Sequence, residues 1–154
     1  MPNRWETTKT IGQCLTEYLK RYEGMDFSDI LTDFIKSPEG DISAYSLYKT
    51  PERSEIEFQD GSRQITEYYN LFARKPTQED DVRIENNASL DEFSEWIEEK
   101  ELEEDYPELP EGMTALEIGI SDSASITSQE DTSAIYQITI KLTYLKVQLI
   151  NVNS

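Results

Sequence analysis

The chain has 154 residues, 36% hydrophobic and 30% charged, with 32 acidic side chains against 14 basic ones, no histidine and a net charge of −18. That length fits one domain spanning 1–154 and can bury roughly 70% of the surface of the unfolded chain. The charge disfavours nucleic-acid phosphates and anionic membranes, both of which need basic contacts, and the missing histidine removes the usual general base and the commonest transition-metal ligand.

Proteins with uncharged or basic faces are therefore the expected partners. The one cysteine, Cys14, cannot form an intramolecular disulfide, which predicts an intracellular product. No apolar run approaches the roughly 18 residues of a membrane span, and no basic-then-apolar leader opens the sequence, so no membrane role is expected.

Residues 1–7, MPNRWET, read as an arm with Trp5 as an anchor. Ile11, Cys14, Leu15, Tyr18, Leu19 and Tyr22 then recur in steps of three and four, which predicts a helix over about 8–23 with Gly24 as its stop signal. On that stripe Cys14 is a small core residue. The stretch 26–35 is ambiguous. Ile30, Leu31, Phe34 and Ile35 suit a short helix, whereas Leu31, Asp33 and Ile35 allow a strand. Pro38 and Gly40 mark a turn. A strand is predicted at 42–50, a turn at Pro51–Ser54, and a half-buried strand at 55–59 with Ile56 and Phe58 on one side. Asp60-Gly61 signals a hairpin. In 63–75, Ile65, Tyr69, Leu71 and Ala73 share one face while Tyr68 and Phe72 lie on the other, which predicts a central strand partly covered on its second side.

Residues 77–88 are polar. Ser89 and Glu92 have the spacing of a capping box, and Leu90, Phe93, Trp96 and Ile97 trace an apolar stripe, which predicts a helix over 89–102 with an acidic outer side. Glu101, Glu103 and Glu104 oppose its dipole, so fraying is expected after Lys100. A proline-rich connection follows. Leu116, Ile118 and Ile120 are expected to point inward from a strand over 114–122, and 123–133 reads as a polar loop. Tyr136, Ile138, Ile140, Leu142 and Tyr144 alternate with polar residues in a final strand over 134–146. After Tyr144 the apolar phase slips to Leu145, Val147 and Leu149. That implies either a bulge or a tail, 147–154, that meets another subunit.

Chemistry is harder to find. Between Pro76 and Glu111 there are 15 acidic and 2 basic residues. Any two of these carboxylates could be nominated as a catalytic pair, so the signal is non-specific, and a charge run is ordinarily a solvated face. Asp26, Asp29 and Asp33 have helical rather than calcium-loop spacing. Tyr68-Tyr69 as a base-stacking platform lacks a basic groove. No catalytic, cofactor-binding or metal-ligating residue is assigned, and no enzymatic activity is expected. Two readings remain: a structural subunit with acidic solvated faces, and an acidic decoy that mimics DNA and blocks a DNA-binding enzyme or repressor.

The order of elements, with TIGQCLTEYL at 10–19, FSEWIEEK at 93–100 ahead of Leu109-Pro110, and YQITIKLTY at 136–144, resembles a family of small phage proteins. These are minor capsid or tail proteins in long-tailed phages of Gram-positive bacteria, similar in shape to tail terminators. Asp60-Gly61 and Tyr69-x-x-Phe72-x-Arg74 fit the family's hairpin. The resemblance spans about 9–146; 27–50 and the tail after Val147 match it less well. It implies an α+β fold, with a mixed, mainly antiparallel sheet packed by two main helices. It further implies a ring, commonly hexameric, in the neck of the virion. Such a ring caps the tail tube protein, meets the head-side connector and lets DNA pass through its lumen without specific binding.

Overall fold

The computed structural model describes residues 10–25, 31–32, 44–76, 80–129 and 133–147. The expected arm at 1–7, the turn at Pro38–Gly40, the aspartates 26, 29 and 33, and the tail beyond Val147 lie outside them. The described elements, in chain order, are α1 (Ile11–Leu19), β1 (Leu31–Thr32), β2 (Ala44–Glu57), β3 (Arg63–Pro76), α2 (Asp80–Leu102), β4 (Met113–Gln129) and β5 (Ser133–Lys146). The strands form one sheet in the order β1-β2-β3-β5-β4, antiparallel except for the β1–β2 pair. The fold is thus the α+β arrangement expected, a mixed and mainly antiparallel sheet packed by two main helices.

Helix α1 starts at a capping box. Thr10 Oγ1 accepts from the Gln13 amide at 3.1 Å, and the Thr10 amide donates to Gln13 Oε1 at 2.9 Å. Cys14, Leu15, Tyr18 and Leu19 form its buried stripe. The helix closes at Lys20 rather than 23, and Gly24 is not its left-handed cap. A Cβ at Gly24 would instead stand 2.5 Å from the Tyr22 ring. That ring packs on Phe93 and Trp96, with centroids 5.4 and 5.2 Å away.

Helix α2 begins at Asp80, not Ser89. The stretch 80–88 has no apolar stripe to announce it, but Asp80 and Asp81 suit a helix N-terminus and no proline interrupts it. Ser89 therefore sits inside the helix. The expected fraying after Lys100 is replaced by an ordered stop. The Glu104 amide donates to the Glu101 carbonyl at 3.1 Å and the Asp105 amide to the Lys100 carbonyl at 2.9 Å, with Glu104 at φ 57°. This is the paired-bond stop that a left-handed residue allows. Leu90, Phe93 and Ile97 are buried, each contributing about 1.5–3 kcal/mol by burial. Trp96, expected in the core, is only partly buried against Tyr18 and Tyr22.

One face of the sheet carries the core: Tyr45, Leu47, Ile65, Tyr69, Leu71, Ala73, Ile118 and the alternating set Tyr136, Ile138, Ile140, Leu142 and Tyr144. Strand β3 lies third of five, central as expected. Pro51–Ser54 is not a turn. β2 runs straight through it with a register shift, Lys49 facing Tyr69 and Arg53 facing Glu67. Thr50, Pro51 and Glu52 thus oppose Tyr68 alone, and the bulge spares Pro51 a ladder bond that it cannot donate. The hairpin at Asp60-Gly61 is present, with Gly61 at φ 89° and Asp60 Oδ1 accepting from the Ser62 amide at 2.9 Å. Ile56 and Phe58 are not half-buried but 55% and 43% exposed; Ile56 pairs with Gln64 and so lies on the face of the sheet away from the helices.

Strand β4 continues through 123–129, where a loop was expected, paired to β5 with four register shifts. These shifts break the polar-apolar alternation that would have announced a strand. The shift between Ala115 and Glu117 leaves Leu116 40% exposed rather than inward; Ile118 is buried and Ile120 partly so. No bulge follows Tyr144, because β5 keeps its register with β3 through Lys146. Leu145 simply belongs to the opposite face.

Candidate functional site

The outer side of α2 is acidic. Asp91, Glu92, Glu95, Glu98 and Glu99 are all exposed, opposite the buried Leu90, Phe93 and Ile97. They face water. The acids at the helix end differ. Glu101 turns inward, its Oε2 accepting from the Ile118 amide at 2.8 Å and its Oε1 from the Tyr106 hydroxyl at 3.3 Å. Asp105 pairs with Arg21, stands 3.5 Å from Lys100 Nζ, and accepts from the Tyr18 hydroxyl through its carbonyl at 2.7 Å. The Arg21 hydrogen bond, foremost, holds the Asp105 carboxyl below the usual carboxylate range. The acidic segment therefore divides into a solvated row and a terminal clasp joining α1, α2 and β4.

The other side of the sheet is chemically different. By register, the outward positions of β3 are Gln64, Thr66, Tyr68, Asn70, Phe72 and Arg74, beside Ile135, Gln137, Thr139, Lys141, Thr143 and Leu145 of β5. None is acidic. Thr66 and Thr143 share a hydrogen bond at 2.9 Å, Thr139 donates to Asn70 Oδ1 at 2.8 Å, and Phe72 meets Tyr48 edge-on at 5.3 Å. Tyr68 is half-buried on this side while Tyr69 is buried on the other, so the two adjacent rings cannot stack bases together. Cys14 is buried, as the helical stripe implied.

Two charged residues sit among the core positions of β3: Glu67, 1% exposed, and Lys75, 6% exposed. Glu67 Oε1 accepts from the Tyr144 hydroxyl. Its Oε2 is ion-paired with Lys49, though without a well-aligned hydrogen bond. Burial first, then the Glu67 hydrogen bond, pushes the Tyr144 hydroxyl well above its usual pKa. Lys75 Nζ donates to the Tyr45 hydroxyl at 3.0 Å. Neither stands out in the sequence by apolar spacing. Their signal was a charged residue in phase with Ile65, Tyr69, Leu71 and Ala73. Their chemistry is structural: Glu67 anchors the strand beside the β2 bulge, between Lys49 on one side of it and Arg53 on the other.

A cleft of about 410 Å³ opens where β2 runs into β3, lined by Glu55, Glu57, Arg63, Glu111, Lys146 and Val147 among others. Arg63 donates to Glu55 at 3.0 Å. Its charges largely compensate one another. Among the described residues no group of three or more acids and cysteines stands close enough to hold a metal ion, and no helix is long and apolar enough to cross a membrane. No protein-family model matches the chain, and no curated protein matches it.

Proposed function

We propose that the chain is a structural virion protein, a tail terminator or head–tail joining subunit. Copies of it assemble into a ring, hexameric by family resemblance, between the tail tube protein and the head-side connector. It works in the neck of the virion, assembled in the host cytoplasm, and performs no catalysis. The observation that carries this reading is the segregation of charge: a solvated acidic row on α2 against an acid-free outer face of β3 and β5. A ring that surrounds DNA needs a surface to which phosphates do not adhere, and like charge releases no counterions on approach. It also needs surfaces on which acidic copies can meet without repulsion, and the acid-free strip of β3 and β5 supplies one, bordered on β4 by Glu117, which pairs with Lys141, and by Asp122. The test is electron microscopy of virions made without the protein, together with sedimentation of the purified chain. Abnormal tail length, or heads and tails that fail to join, is expected. Normal virions would overturn the proposal.

The same exposed row favours a second reading, the DNA-mimic inhibitor. Glu92, Glu95 and Glu99 succeed one another by three and four residues, so that their carboxylates line one side of the helix. That reading expects a monomer or dimer that competes with DNA for a nuclease, repressor or polymerase. Competition of this kind, with virion assembly unaffected, would replace the first reading by the second.

A further inference from the structure

We infer that the end of the sheet where β2 turns into β3 is the seat for residues 148–154 of a neighbouring copy of this chain. The inference rests on the reading of the protein as a self-assembling subunit, and it names the surfaces that meet. Two rows run across four strands at this end, Glu57–Arg63–Lys146–Met113 and Ile56–Gln64–Leu145–Thr114. Strand alternation places Ile56 and Leu145 on the outer face, and Phe58 and Val147 continue their phases. Ile56, Phe58 and Val147 are 55%, 43% and 45% exposed, and the register brings all three to this end of the sheet, on β2 and β5 with β3 between them. None of Ile56, Phe58, Gln64, Leu145, Val147 and Thr114 is charged. The described chain ends at this same rim, where the Val147 amide donates to the Gly112 carbonyl at 2.8 Å.

The segment after Val147 matches the seat. QLINVNS carries Leu149, Ile150 and Val152 and no charge, in a chain of net charge −18. An uncharged segment and an uncharged apolar seat are the pieces of two such copies that approach with least repulsion. The seat belongs to a neighbour for a local reason. Val147 is itself part of the patch, and Gln148-Leu149-Ile150 contains no glycine, proline, asparagine, aspartate or serine to reverse the chain onto it. A segment given by each copy to the next is a heterologous contact, the kind that closes into a ring.

The test is a cross-link. In a Cys14→Ser background, Phe58→Cys and Leu149→Cys are combined and oxidised. Disulfide-linked multimers that increase with protein concentration, absent from either single variant, are expected. A disulfide within the monomer overturns the assignment to a neighbour. No cross-link, in a chain that sediments as an oligomer, overturns the seat and leaves the ring standing. A chain that stays monomeric even with the tail tube protein overturns the inference together with the self-assembly reading. If the serine background fails to fold, Ile56→Asp with Phe58→Asp in the natural chain decides the matter. Both positions are exposed, so the melting curve should not move, while self-association should weaken about tenfold or more. Unchanged association would overturn the proposal.

Discussion

Tyr18, Tyr69 and Tyr144 are buried to 3% exposure or less, and burial pushes each hydroxyl above its ordinary pKa near 10. A raised folded value means that the fold prefers the neutral phenol. The stability contributed is complete below about pH 10 and is lost as pH rises from there toward the folded values. Alkaline titration followed by phenolate absorbance should accordingly coincide with unfolding, rather than precede it as it would for surface tyrosines. Ser89 is a second residue whose behaviour follows from its place. Inside α2 it caps nothing, and Ser89→Ala should leave stability within about 0.5 kcal/mol in denaturant titration, where loss of a helix cap costs about 0.5–2. At this scale the sequence was most legible where a residue's neighbours at helical or strand spacing agreed with it. Cys14, Phe93 and Ile140 are buried as their stripes required. Ser89 misled because Ser-x-x-Glu also arises within any polar helix rich in glutamate.

Among the elements, β5 is the one that the pattern announced most fully. Its inward set from Tyr136 to Tyr144 is buried without exception, because β5 lies between β3 and β4 with the helices over one face. Ile140→Ala should cost about 2–5 kcal/mol in chemical denaturation. A cost below about 1 would mean that the cavity collapses without loss. β4 was half hidden by physics rather than by chance. As an edge strand it carries four register shifts, which blunt the open edge against pairing with other chains and at the same time erase its period of two. The first two turns of α2 were hidden for a related reason. A helix segment whose sequence carries no apolar stripe leaves no periodicity to read, and only composition speaks for it.

For the whole molecule, the fold class was legible and the site was not. The two helices and the sheet follow from apolar spacing, whereas the contrast between an acidic helix layer and an acid-free strip of β3 and β5 depends on which strands lie side by side. That order, with β5 inserted between β3 and β4, cannot be counted along the chain. The contrast has a measurable consequence. At −18 the folded chain repels itself, and the repulsion is screened within about 8–10 Å at physiological salt. Glu95, Glu98 and Glu99 replaced together by glutamine should keep the fold. They should raise the melting temperature at low ionic strength, with the difference from the natural chain closing as salt is added. A lower melting temperature at low salt would show that these carboxylates hold the helix rather than strain it.

The bulge in β2 has a grammar of its own. It adds two residues where Thr50, Pro51 and Glu52 face Tyr68 alone, so the strand resumes in the frame it left: Lys49 and Arg53 point to the same side. Side chains on a strand are read in steps of two, and an insertion of two is silent, as a triplet insertion is silent in a reading frame. Removing two of these three residues should leave Ser54 and Ile56 on the outer face and the protein soluble. Removing one should act as a frameshift, turning Arg53, Glu55 and Glu57 to the outer face and Ile56 toward the charged cleft. Exchange protection of the amides from Arg53 to Glu57 would separate the two deletions, retained in the double and lost in the single.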